Sequence, residues 1–216
     1  MPEPTPTRYA WFDTEFTSLD LDAARLIQVA LVVTGVDLEP VVPGAAPAGI
    51  PAECVAANGL SIYLPLPADW EPEKFHRTEM ADVLARCRRS RFTLAEADAW
   101  LSAWIDATAG PPAASIDERP VLAGNSVHTD WFLARRDLPE FVSRLHYRLV
   151  DASTLKCEWL AKLGGPGAAL LDKDDHEAVR AAFPPADLSG TAHDAYYDAQ
   201  ASIAELAWYR ERLSKK

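Results

Sequence analysis

The chain has 216 residues, 49% of them hydrophobic and 25% charged, so it can bury a substantial core without disulfide or metal staples. Lys and Arg total 21 against 32 Asp and Glu, a net charge of −11, which excludes a generic binder of duplex DNA but leaves open a metal-dependent enzyme acting on short nucleic acids, where a bound cation supplies the positive charge. Three scattered cysteines without a CxxC pair, no secretory signal and no apolar run of about 18 residues predict a reducing, cytoplasmic setting away from membranes.

In chain order, residues 1–7 with their three prolines read as a flexible tail, followed by one domain over 8–216. Arg8–Glu15 is aromatic-rich and predicts a strand. Arg25–Thr34 is an almost unbroken aliphatic run, as in a strand covered on both faces. Pro40–Gly59 is a Pro/Ala-rich insertion, and Leu60–Leu66 resumes as a strand. From residue 70 helices dominate. Thr93 and Glu96 form a capping box ahead of a helix that Gly110-Pro111-Pro112 stops. Pro120–Ala123 and Tyr147–Val150 are short strands around a helix at Asn125–Asp137. Helices follow at Ser153–Leu163, near 174–182, and from Ala192 to Leu213. The pattern predicts an α/β fold, a mixed five-stranded central sheet flanked by helices.

Within the first strand, Asp13-Thr14-Glu15 places two acids on one face, because strand side chains alternate. Two carboxylates on one face of a central strand are costly unless a cation neutralises them. Asp130 opens a helix just past a strand, where ligands gather in open α/β sheets; helix-dipole stabilisation would equally account for it. His193 and Asp198 are five apart, about 140° around a helix, so they share a site only if His193 lies in the loop or first turn. Gly190, Thr191 and Asp194 offer the bend and the cap there, and an imidazole at such a start is placed to move protons.

On these segments the chain resembles oligoribonuclease, of the DEDDh branch of the DnaQ-like 3′→5′ exonucleases, with a ribonuclease H-like fold. The matching stretches are Trp11–Leu19, Leu122–Asp130, His146–Lys156, His193–Asp198 and Ser202–Arg210, with the His146-Tyr147-Arg148 … Ser153-Thr154-Leu155-Lys156 segment the most particular to that family. The resemblance implies that Asp13, Glu15, Asp130 and Asp198 organise two divalent cations, Mg²⁺ or Mn²⁺, and that His193 is the general base. It implies 3′→5′ hydrolysis of short RNA, notably dinucleotides, to nucleoside 5′-monophosphates. Ser126, Arg148, Ser153 and Thr154 would cap a 5′ phosphate, Leu19 would pack on a base with Trp70 and His76 beside it, and Tyr147 would reach the partner subunit of a homodimer. Core packing is the competing role for Leu19, Tyr147 and Trp70. The 40–59 insertion and the stretch 164–190 have no counterpart in compact family members.

Two other readings stand beside it. One is a DEDDh exonuclease acting on longer RNA or single-stranded DNA ends, for which Arg86, Arg88, Arg89 and Arg91 offer a basic cluster. The other is a nuclease-fold protein that binds nucleic acid or a partner without cutting; the complete set Asp13, Glu15, Asp130, His193 and Asp198 argues against it.

Overall fold

The computed structural model describes residues 7–112 and 115–215; residues 1–6 of the predicted tail lie outside the described residues. In chain order the elements are β1 (Arg8–Phe16), β2 (Leu26–Gly35), β3 (Val55–Ala56), β4 (Gly59–Tyr63), α1 (Lys74–Glu79), α2 (Ala81–Cys87), α3 (Leu94–Ala109), β5 (Val121–Gly124), α4 (His128–Asp137), α5 (Pro139–Ser143), β6 (Leu149–Asp151), α6 (Ala152–Glu158), α7 (His176–Ala182) and α8 (Ala195–Ser214). One mixed sheet in the order β3-β4-β2-β1-β5-β6 carries helices on both faces. β1 pairs antiparallel with β2 and parallel with β5, and β5 pairs parallel with β6. No helix among the described residues is long and apolar enough to cross a membrane.

The alternation within β1 divides the core. Ala10 and Phe12 face a layer built with Val29, Leu31, Val33, Leu60 and Ile62 against α3, α4 and α5. Trp11 faces the opposite layer with Ala30, Val32 and the buried side of α8. The predicted all-buried character of the second strand holds along the whole of β2. Two polar residues interrupt the run: Thr34, which accepts from Trp11 Nε1, and Gln28, fully buried, whose Oε1 accepts from the Ala195 amide at 3.1 Å while its Nε2 donates to Ser61 Oγ at 3.2 Å. Ala195 opens α8, and the first amides of a helix have no partner of their own. Gln28 thus fixes the start of α8 to the middle of the sheet.

Several boundaries differ from the sequence reading. The sheet has six strands, not five, because Val55–Ala56 in the predicted insertion pairs with the free edge of β4. A two-residue strand has no periodicity to read; only its neighbour creates it. β4 ends at Tyr63, ahead of Pro65, which lacks the amide a ladder needs. β6 begins at Leu149 rather than Tyr147. The predicted helix from Ser153 becomes a π-turn over Trp159–Leu163 after α6. The last helix starts at Ala195, not Ala192, because Asp194 is its cap and accepts from the amides of Tyr196 and Tyr197. The Thr93–Glu96 capping box is present at α3 as predicted.

Replacing Gln28 with Leu removes the acceptor from a buried amide. The expected loss is about 1–3 kcal/mol of unfolding free energy; urea denaturation by circular dichroism measures it, and a neutral result would show that the α8 start is held by other contacts.

Candidate active site

β1 presents Asp13 and Glu15 toward α8, in register with Ala30 and Gln28 of β2. The small Ala30 side chain leaves space beside Asp13. β5 supports β1 from the other side and stops at Gly124, where a Cβ would lie 2.9 Å from the Phe12 carbonyl oxygen. A side chain there would push β5 away from the strand that carries the acids. The chain then turns through Ser126, whose φ of +56° is left-handed, and enters α4.

Asp130, in the first turn of α4, is buried on the face of β1 opposite Asp13. It reaches the end of the strand through Thr14, whose Oγ1 donates to Asp130 Oδ1 at 2.6 Å. Asp198 sits in the first turn of α8, and its Oδ2 accepts from the His193 amide at 2.9 Å. His193 adopts a φ of +64°, outside the helix, which removes the 140° conflict that an uninterrupted helix would impose. Ligand atoms of Glu15, His193 and Asp198 lie within 4.8 Å of one another.

All four acids are raised above the ordinary carboxylate range, and Asp13 feels the charges of the other three. Burial raises Asp13 well above the ordinary carboxylate range, and the charges of Asp130, Asp198 and Glu15 raise it further, with Lys173 opposing. Glu15 is raised well above its ordinary value by burial, then by Asp198, Asp194 and Asp130. Burial pushes Asp130 up to about 7, against the Thr14 hydrogen bond. Asp198 is raised by burial, with Lys173 and the His193 amide opposing. Carboxylates that repel each other in a desolvated cluster are held as a set when a cation joins them. The donors are mainly hard carboxylate oxygens with one imidazole, which fits a divalent metal ion.

Two flanks border this cluster across the ends of the strands. On one side, a cleft of about 520 Å³ is lined by Glu15, Phe16, Ser18, Leu19, Phe75 and His76 among others. Leu19 is 91% exposed, so it is no core residue. His76 is buried, with Nδ1 lacking a hydrogen-bond partner. Trp70 does not line the cleft; it packs edge-on against His76 and on the Ile27–Met80–Val83 cluster. The aromatic side chain at the cleft is instead Phe75, 47% exposed and 4.9 Å from the His193 ring. No helical periodicity distinguishes Phe75 from its neighbours in so short a helix, so the sequence carried no signal for it.

On the other side, Asp151 at the end of β6 gathers the turn after β5. Its Oδ1 accepts from the Ser126 amide, the Ser153 amide and the Ser153 hydroxyl at 2.9, 2.9 and 2.7 Å. The structure therefore brings Ser126 and Ser153 together, with Thr154 next along α6. Arg148 precedes β6, its amide donating to His146 Nδ1 at 2.8 Å and its guanidinium 5.6 Å from the Tyr147 ring. Tyr147 is 58% exposed and stacks on His146, away from any core. Asp151 itself was not singled out in the sequence; its role depends on parallel pairing of β5 with β6, which brings residues 25 apart together.

Comparison with known proteins follows the same lines. No protein-family model matches the chain. The solved structure of Exonuclease I from Methylocaldum szegediense superposes with a TM-score of 0.61 at 17% identity, covering 97% of this chain and 41% of that one. That likeness carries the fold, a ribonuclease H-like mixed sheet flanked by helices. The chain is 31% identical over 209 residues to an oligoribonuclease of Streptomyces avermitilis, covering 95% of this chain and 86% of that protein. It is 30% identical over 210 residues to a probable oligoribonuclease of Drosophila melanogaster, covering 97% and 83%. It is 30% identical over 200 residues to an oligoribonuclease of Mycobacterium tuberculosis, covering 93% and 78%. Similarity at this level along nearly the whole chain, together with the fold, places it: the chain belongs to the oligoribonuclease family of nucleases.

Proposed function

We propose that the protein is a metal-dependent 3′→5′ exoribonuclease that hydrolyses short oligoribonucleotides, dinucleotides foremost, to nucleoside 5′-monophosphates. What supports this reading is the grouping of Glu15, Asp198 and His193, whose ligand atoms lie within 4.8 Å of one another, with Asp13 on the same strand as Glu15 and Asp130 tied to that strand through Thr14. Those four carboxylates would hold Mg²⁺ or Mn²⁺, two ions in all. When bound, such ions polarise the phosphoryl group and stabilise charge on the attacking and leaving oxygens.

The chain's own groups supply the rest. His193 is the general base that takes a proton from the attacking water. Its backbone is tied to Asp198 and its ring borders Phe75, so the imidazole is held at the mouth of the cleft. Leu19 and Phe75 offer apolar surface for the 3′-terminal base, with His76 lining the same cleft. Ser126, Ser153, Thr154 and Arg148 meet a phosphate at the opposite end, where a charged group gains most from the guanidinium. A substrate spanning both flanks crosses the acid cluster between them. A net charge of −11 works against nonspecific electrostatic holding of a long strand, which favours short ones. Tyr147, exposed beside this second flank, is free to meet a second subunit, in keeping with a homodimer.

His193→Ala is expected to lower turnover by about 10²–10⁴-fold while divalent-cation affinity is retained. Isothermal calorimetry with Mn²⁺ separates the roles: a collapse of affinity would make His193 a ligand instead of a base. Single-turnover hydrolysis of 5′-phosphorylated RNAs of two, three, five and seven nucleotides is expected to be fastest for two. A flat or rising profile would replace this reading with a general single-strand exonuclease, and no cleavage with Mn²⁺ would leave a binding protein.

The raised carboxyl groups also predict a pH-dependent response to chelation. Between the ordinary carboxylate value near 4 and the Asp130 value of about 7, the metal-free folded state binds more protons than the unfolded chain. Its stability therefore falls as pH rises through that window. Thermal unfolding at pH 5 and pH 7.5, with EDTA or saturating Mg²⁺, is expected to show a larger gain from Mg²⁺ at pH 7.5. An equal gain at both values would contradict the shared acidic site.

A further inference from the structure

His193 stands in a turn that needs holding. Its φ of +64° is left-handed, a region uncommon for residues with a side chain. A ligand atom of its ring lies within 4.8 Å of those of Glu15 and Asp198, so the shape of this turn decides where the imidazole points. Its amide donates to Asp198 Oδ2, a carboxylate that the proposed function also gives to a cation. A second hold reaches the turn from the sheet without passing through Asp13, Glu15, Asp130 or Asp198.

Tyr63 closes β4 directly opposite Gln28 of β2. Cross-strand partners of this kind project from the same face. The two side chains grip consecutive residues: Gln28 Oε1 accepts from the Ala195 amide at 3.1 Å, and the Tyr63 hydroxyl donates to Asp194 Oδ2 at 2.7 Å. The other oxygen of Asp194, Oδ1, accepts from the amides of Tyr196 and Tyr197 at 3.0 and 3.4 Å, and the Asp194 amide donates to the Thr191 carbonyl at 3.1 Å. One residue therefore joins the sheet, the first turn of α8 and the turn that contains His193. Tyr63 is itself fixed. Its carbonyl accepts from Ser90 Oγ at 2.6 Å, and the Arg86 guanidinium lies 5.1 Å from its ring centre. Capping α8 occupies Oδ1 of Asp194, so the bond from Tyr63 to Oδ2 is not needed for the cap; it fixes the direction of the turn before it.

We propose that Tyr63 is a positioning residue, which acts through Asp194 to fix the turn carrying His193 and so aims the imidazole at the acid cluster. The inference rests on the proposed function, in which His193 is the general base. Tyr63 and Asp194 meet in the wall of a groove of about 230 Å³ with Arg86, Ser189 and Gly190. Removing the hydroxyl therefore leaves Asp194 Oδ2 facing that groove and not the packed core, and the fold is expected to survive.

The test is single-turnover hydrolysis of a 5′-phosphorylated RNA dinucleotide with Mn²⁺ by the full chain, Tyr63→Phe, His193→Ala and the double variant. Calorimetric Mn²⁺ affinity and NMR of the His193 ring accompany it. Tyr63→Phe is expected to lower the rate about 10–100-fold, the scale on which a misplacement of about 1 Å acts. Half-saturating substrate concentration and Mn²⁺ affinity are expected to stay within about twofold of the original chain. In the His193→Ala background the same change is expected to cost no further rate, since residues acting as a unit are not additive. The nuclear Overhauser contact between the His193 and Phe75 rings, 4.9 Å apart, is expected to weaken in Tyr63→Phe. An unchanged rate in Tyr63→Phe overturns the proposal. An equal fall in both backgrounds overturns it too, because Tyr63 would then act elsewhere than through His193, as does a collapse of Mn²⁺ affinity, which would make Tyr63 a support of the metal ligands. If Tyr63→Phe does not fold, Asp194→Ser, which keeps a helix cap but withdraws the acceptor from Tyr63, is read by the same criteria. If the original chain cleaves nothing, the proposed function fails, and the ring contact alone decides the positioning: its persistence in Tyr63→Phe overturns it.

Discussion

Placing carboxylates inside a packed sheet is the constraint on which the rest of this structure depends. Asp13 and Glu15 project from the central strand toward a helix whose buried face is mostly apolar. Desolvation works against their ionisation, and each neighbouring acid adds to the difficulty. The surroundings answer with small residues, fixed donors and helix ends. Ala30 leaves room opposite Asp13, Thr14 donates to Asp130, and the His193 amide donates to Asp198. Both Asp130 and Asp198 occupy first turns, where the partial positive charge of a helix N-terminus favours a carboxylate.

Strain is concentrated at the same place. Among the described residues, three non-glycine positions have left-handed φ, and two of them, Ser126 and His193, border the acid cluster. Such conformations cost on the order of 1–3 kcal/mol each and persist only where surrounding contacts hold them. Asp151 holds Ser126, and the Asp194 cap holds the turn at His193. Asp194 is held in turn by the Tyr63 hydroxyl at 2.7 Å, which links the site to the end of β4. The edge of the sheet and the start of α8 therefore form one mechanical unit, completed by Gln28.

The two flanks differ in chemistry in a way that suits a short, asymmetric ligand. Leu19 and Phe75 present exposed apolar surface next to Glu15 and His193. The turn after β5 and the start of α6 present hydroxyls gathered by one carboxylate, with Arg148 nearby. Under the proposed function, the first flank takes a base and the second takes a phosphate, and the acids between them face the bond to be broken. Trp70, expected beside Leu19, belongs instead to the core under α2, and Phe75 stands in the open position.

Much of the fold was legible in the sequence because local rules govern it. Alternation in β1 assigned Asp13 and Glu15 to one face, the aliphatic run of β2 announced a strand buried on both sides, and Thr93–Glu96 marked the start of α3. The candidate acids could be named from their positions at strand and helix ends and from the resemblance of their segments to a known family. Tertiary structure alone decided the remainder. Val55–Ala56 is a strand only because β4 has a free edge. Asp194 outcompetes Thr191 as a cap because α8 begins where Gln28 receives it. Phe75 takes the cleft, Asp151 gathers two serines, and Lys173 pairs with Glu205, all through contacts between residues far apart in the chain. Sequence periodicity reports which face a side chain occupies within its own element. It does not report which distant element that face will meet, because that is set by packing and by the pairing of charges and donors once the sheet has closed.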